Sequence, residues 1–115
     1  MTSSQAVPTV TADHVPVPVP DALVVLDVRE DDEWRAGHVE GALHIPLSEL
    51  PARVGEVGTG AQVLCVCRVG GRSAHATMLL RQVGVNAVNL HGGMHGWQAA
   101  GHPMVSETGQ PPSVL

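Results

Sequence analysis

Two unbroken apolar runs, Ala22-Leu23-Val24-Val25-Leu26 and Val63-Leu64-Cys65-Val66, have the length of strands and lack the polar alternation of a half-exposed strand. They predict parallel strands covered on both faces. Leu43-His44-Ile45, stopped by Pro46, predicts a shorter strand, and Ala87-Val88-Asn89-Leu90 a further one. Between them the period changes to that of a helix. Ala76, Leu79, Leu80 and Val83 recur on one face of a segment running from Ser73 to Val83, with Gly84 in the place of a left-handed cap. Asp31 to Ala36 predicts a short helix with acidic residues in its first turn and Gly37 at its end; its charges are read as a solvated face. Ser48 caps a brief helix through about Val54, followed by a loop from Gly55 to Gly60. After the turn Gly92-Gly93, Met94 to Ala100 forms a last helix closed by Gly101.

Strands alternating with helices predict a parallel α/β sheet, in which ligands gather at the carboxyl ends of the strands. Asp27, Cys67 and His91 all stand at such ends. The alternation of proline and valine over 15–20 favours an extended connector and excludes a helix interior. Residues 1–7 are expected to be a flexible amino terminus, 8–105 a single domain and 106–115 a flexible tail.

Composition narrows the function. The chain has 115 residues, enough for one domain, and its net charge is −5 with no lysine, so its six cationic side chains are scattered arginines. No nucleic-acid footprint is present. Phe and Tyr are absent, leaving Trp34 and Trp97 as the large aromatics over a core of Val, Leu, Ala and Ile. Neither a signal peptide nor an apolar run of roughly 18 residues is found, so a cytoplasmic location and no membrane contact are expected. Cys65 and Cys67 stand i, i+2 in an extended strand, where the Cα separation is near or beyond the roughly 7 Å limit for a disulfide. Both are read as thiols.

The chemistry concentrates in Cys67-Arg68-Val69-Gly70-Gly71-Arg72. A strand delivers Cys67 to the rim of the sheet, and the glycines let the backbone curl so that successive N–H groups face inward. The following helix directs the positive end of its dipole to the same place, and Arg68 and Arg72 are expected to flank it. Cysteines in such settings ionise with pKa values of roughly 3.5 to 7.5, against about 8.5 when free. An anion-handling thiolate is therefore predicted, with Asp27, Arg29, His75 and His91 as possible neighbours in a pocket. A metal site is not predicted, because Cys65-x-Cys67 is not a C-x-x-C knuckle and no second cysteine pair exists.

These segments together resemble the rhodanese family of sulfurtransferases. The likeness lies in Leu26-Asp27-Val28-Arg29-Glu30, Trp34, Gly37-His38-Val39-Glu40-Gly41-Ala42, the loop from Cys67 to Arg72 with Ser73, and Gly92-Gly93-Met94-His95-Gly96-Trp97, in family order from about Leu23 to Gly101. The resemblance implies an α/β fold with a five-stranded, mainly parallel sheet and helices on both faces, in a single-domain member. It implies that Cys67 accepts a sulfane sulfur as a persulfide, that Arg68 to Arg72 cradle it, and that the Asp27–Arg29 and Gly37–Ala42 elements are scaffold. In many members a helix follows the first strand; here the proline-rich segment 15–20 replaces or shortens it. The implied partners are a small sulfur donor such as thiosulfate and a thiol or cyanide acceptor, with thioredoxin or a sulfur-carrier protein as candidates, on a monomer or weak homodimer. No cofactor is required. Two alternatives stay open, a noncatalytic regulatory or interaction module and a phosphatase or arsenate reductase. The phosphatase pattern has five residues between Cys and Arg, and this loop has four.

Overall fold

A computed structural model describes residues 6–58 and 60–115. Five strands form one sheet in the order β1-β5-β4-β2-β3, with β1 at Thr9–Thr11, β2 at Leu23–Asp27, β3 at Leu43–His44, β4 at Gln62–Val66 and β5 at Asn86–His91. Every pairing is parallel. Parallel neighbours need crossovers, and these are supplied by α1 (Asp31–Ala36), α2 (Leu50–Arg53) and α3 (Gly71–Gln82); α4 (Gly93–Ala99) follows β5. The registers pair Leu26 with Cys65 and Cys65 with Asn89, so the carboxyl ends of β2, β4 and β5 lie side by side.

The two-residue alternation of strands divides the core. Leu26, Val28, Val63, Cys65, Cys67 and Ala87 face one layer and pack with Ile45, Leu50, Ala76 and Leu80. Val25, Leu64, Val66 and Leu90 face the other, packing with Val39, Met94 and Trp97. The segment expected to be a bare connector contributes here: Val15 is buried and Val19 is packed against the same cluster as Trp97. The proline-rich chain thus covers part of that sheet face.

Several boundaries differ from the sequence reading, each for a local reason. The edge strand β1 has only three residues, and its polar Thr-Val-Thr carries no run long enough to signal a strand; pairing with β5 forms it. Helix α3 begins at Gly71 rather than Ser73, because Gly70 adopts φ +118 and its carbonyl accepts the Ala74 N–H at 3.1 Å. The expected loop after Val54 starts as a 3-10 turn, Val54–Glu56. The flexible amino terminus expected over 1–7 falls mostly on residues 1–5, outside the described residues.

Residues 106–115, expected to be a flexible tail, lie against the domain. The N–H groups of Glu107 and Ser113 donate to the carbonyls of Arg35 and Ala36, each at 2.9 Å. Those carbonyls end α1 and have no partner within the helix, which is why a polar tail can dock there. Trp34 adds a bond from its Nε1 to Glu107 Oε2 at 3.1 Å, and Val114 reaches the core around Trp97. Gly37 admits the tail closely: a Cβ there would sit 2.5 Å from the Ser113 carbonyl oxygen.

Candidate active site

Cys67 follows directly on β4 and is 1% exposed. The chain after it curls back, so the Gly70 N–H donates to Cys67 Sγ at 3.1 Å and the Ser73 hydroxyl lies 3.3 Å from the same sulfur. Backbone N–H groups of Val69 and Ser73 also aim at it. A second layer fixes the loop from outside. Met94 and His95, in the first turn of α4, donate their N–H groups to the carbonyls of Cys67 and Arg68 at 2.8 and 3.0 Å. This approach requires a glycine at 93, where φ is +55 and a Cβ would fall 2.4 Å from the Cys67 carbonyl oxygen.

Burial alone raises the pKa of the Cys67 thiol, but the Ser73 hydroxyl and the N–H groups of Ser73, Gly70 and Val69 favour the thiolate more strongly, and the net direction is down. Cys65 shows the contrast. It is fully buried two residues earlier, and burial pushes its thiol up to about 11 despite a hydrogen bond with Thr77. Both cysteines are free thiols. One of them is built to ionise.

The arginines sit differently from the sequence expectation. Arg72 does not turn its fork toward Cys67; both terminal nitrogens engage Glu33, at 2.7 and 2.9 Å, and the Cys67 charge reaches it only through space. Glu33 also accepts the Glu30 N–H at 3.0 Å, and the Arg72 hydrogen bonds lead the causes that hold its carboxyl down at about 2. This is a correction to the reading of the α1 charges as a solvated face: Glu33 ties α1 to the amino end of α3. Arg68 is exposed, and its Nε donates to the Leu115 carbonyl oxygen at 2.6 Å. The groups that converge on the Cys67 sulfur are therefore backbone N–H groups and a hydroxyl, with the guanidinium groups engaged at the border of the loop.

Asp27 and Arg29 are fully buried and paired with each other, Arg29 Nη2 lying 2.7 Å from Asp27 Oδ2 and 2.8 Å from the Gly37 carbonyl oxygen. They join the turn after β2 to the end of α1. His75 and His91 are exposed, and no hydrogen bond among the described residues joins either ring to Cys67. His38 and His44 instead both stack on Trp34, with ring centroids 3.6 and 4.7 Å from the indole. Three residues escaped the sequence reading of the site: Glu33, Ser73 as a hydroxyl donor, and Asn89. Asn89 carried a signal, a single amide inside the apolar run of β5.

A family model described as the rhodanese-like domain matches residues 17–100. The chain belongs to the rhodanese-like family. A sulfurtransferase of Allochromatium vinosum is 34% identical over 88 residues, covering 76% of this chain and 82% of that protein. Among solved structures, a rhodanese-related protein of Thermoplasma volcanium superposes with a TM-score of 0.80 at 33% identity, over 85% of this chain and 97% of that one. A thiosulfate sulfurtransferase of Pseudomonas aeruginosa gives a TM-score of 0.75 at 26% identity over 95% of this chain, which corresponds to 22% of that larger one. Other relatives are longer, this chain spanning 42%, 59% and 54% of three of them. The match with the family supports sulfur transfer as the general chemistry of the domain.

Proposed function

We propose that this chain is a sulfurtransferase that carries sulfane sulfur as a persulfide on Cys67. The observation that supports the reading most is the convergence of the Gly70 N–H and the Ser73 hydroxyl on a sulfur whose thiolate is favoured. In the first half-reaction the thiolate attacks the outer sulfur of a donor such as thiosulfate. A Cys67 S–S bond forms, the donor S–S bond breaks, and sulfite leaves with the electron pair. In the second, a thiol or cyanide attacks the outer sulfur, and Cys67 leaves as thiolate into the same cradle that first stabilised it. No net oxidation occurs and no cofactor enters. A protein thiol such as thioredoxin, or a sulfur carrier, is a further acceptor consistent with the exposed loop residues Arg68 and Val69. A reducing compartment such as the cytoplasm keeps the Cys67 thiol free.

Phosphoryl transfer is the weaker alternative, since a phosphoryl group with three oxygens calls for a free arginine fork and Arg72 is committed to Glu33. Steady-state assays with thiosulfate and cyanide, and separately with an aryl phosphate, distinguish these readings. Sulfur transfer that is lost in Cys67→Ser and largely retained in Cys65→Ser supports the proposal. Faster aryl phosphate hydrolysis, or inactivity with thiosulfate and with low-molecular-weight persulfides alike, overturns it in favour of a phosphatase or a noncatalytic module.

A further inference from the structure

The hydroxyl of Ser73 has one proton and two neighbours that want it. Asn89 Oδ1 lies 2.6 Å from Ser73 Oγ, and Cys67 Sγ lies 3.3 Å from it. The amide orientation follows from its other end, where Asn89 Nδ2 donates to the Gly70 carbonyl oxygen at 3.3 Å. With the amide oxygen toward Ser73, a contact of 2.6 Å requires the Ser73 proton to lie between the two oxygens. The thiol form of Cys67 fits this arrangement, because its S–H can donate to Ser73 Oγ. The thiolate does not. Once the Cys67 proton has gone to solvent, the hydroxyl must turn toward sulfur, and Asn89 Oδ1, on a residue 6% exposed, loses its donor.

We propose that Asn89 is a positioning residue for sulfur transfer, acting through Ser73 to set how readily Cys67 becomes a thiolate. It competes with the sulfur for the Ser73 proton, and its amide nitrogen ties that competition to the Gly70 carbonyl in the loop that cradles the sulfur. The hydroxyl then follows the charge on Cys67. It faces sulfur whenever Cys67 is a thiolate, at the start of the cycle and again as the outer sulfur leaves, and it returns to Asn89 when Cys67 is protonated. The inference rests on Cys67 being the reactive thiol, but not on any particular donor.

The pH midpoint of Cys67 alkylation by iodoacetamide, in a Cys65→Ser background, tests the proposal without a sulfur donor, so a failure of sulfur transfer is seen in a separate assay. Asn89→Leu removes the competing acceptor at similar volume. The midpoint is expected to move down, with the thiolate fraction at a fixed pH below the midpoint rising about fivefold. In a Ser73→Ala background the same substitution is expected to leave the midpoint where Ser73→Ala alone puts it, because the hydroxyl through which Asn89 acts is gone. A loosened loop would shift both backgrounds equally, which would overturn the proposal, as would an unchanged midpoint with Ser73 present. Asn89→Asp provides an independent arm should the leucine variant not fold. Its carboxylate holds the Ser73 proton more strongly, and it must raise the midpoint more with Ser73 present than in Ser73→Ala. An equal rise in the two backgrounds is a through-space charge effect and refutes the coupling.

Discussion

Glu33→Gln removes the charge that holds Arg72 while leaving an amide of the same shape. The Glu33 carboxyl is held at about 2 in the folded protein against 4.5 ordinarily, mainly by its hydrogen bonds with Arg72. Taken at face value that difference is about 3 kcal/mol of stabilisation. Arg72 is 36% exposed, however, and solvent screens a pair of this kind, so about 1–2 kcal/mol is the expected contribution at neutral pH. The carboxyl titrates lower in the folded state than in the unfolded state. Its stabilisation is therefore complete above 4.5 and is lost as the pH falls toward about 2. Urea unfolding of both proteins at several pH values between 7 and 2.5 measures this. The wild type should be more stable by about 1–2 kcal/mol at pH 7, which is roughly 3–10 °C in Tm for a domain of this size. The gap should narrow below 4.5 and fall to a minor fraction of its neutral value at pH 2.5, where the folded carboxyl has only begun to take up its proton. A gap that is absent at pH 7, or one that stays constant to pH 2.5, refutes the assignment of that stabilisation to the Glu33–Arg72 pair.

Three further outcomes are expected. Gly93→Ala should destabilise the fold by about 2 kcal/mol or more and depress sulfur transfer even where the protein remains folded, because the new Cβ meets the Cys67 and Arg68 backbone at 2.4–2.6 Å; chemical unfolding and turnover measured together check both. Arg29→Met should cost about 3–5 kcal/mol by leaving Asp27 buried without its partner, read as a shift in the urea midpoint. Iodoacetamide at mildly alkaline pH should modify Cys67, whose thiol is pushed down by its hydrogen-bond donors, and spare Cys65, whose thiol is pushed up to about 11; peptide mapping that finds equal labelling in the folded protein contradicts the electrostatic contrast between them.

The sequence announced most of this architecture because its strongest signals were local. The apolar runs around Val25 and Leu64 predicted strands buried on both faces, and the sheet places them side by side in its interior. The spacing of Ala76, Leu79, Leu80 and Val83 located α3 to within two residues at its start. Features that depend on pairing at a distance were hidden. β1 is a strand because β5 lies beside it, and 106–115 docks because α1 ends with carbonyls that lack partners. The same distinction divides the site. Cys67 and its glycine loop were legible from composition and order, but the directions of Arg68 and Arg72 depend on Leu115 and Glu33, which lie 47 and 39 residues away. Charge alone suggested that both guanidinium groups face the sulfur. Nearby carbonyl and carboxylate oxygens satisfy them first.

The central claim is that Cys67 stores the transferred sulfur. Intact-mass spectrometry of the reduced protein after brief exposure to excess thiosulfate, with peptide mapping before and after addition of cyanide, tests it most directly. The predicted result is the gain of one sulfur atom on the peptide containing Cys67, its removal by cyanide with thiocyanate released in equal amount, and no gain in Cys67→Ser. Sulfur recovered on Cys65, or turnover that proceeds with no sulfur ever bound to the protein, would contradict it.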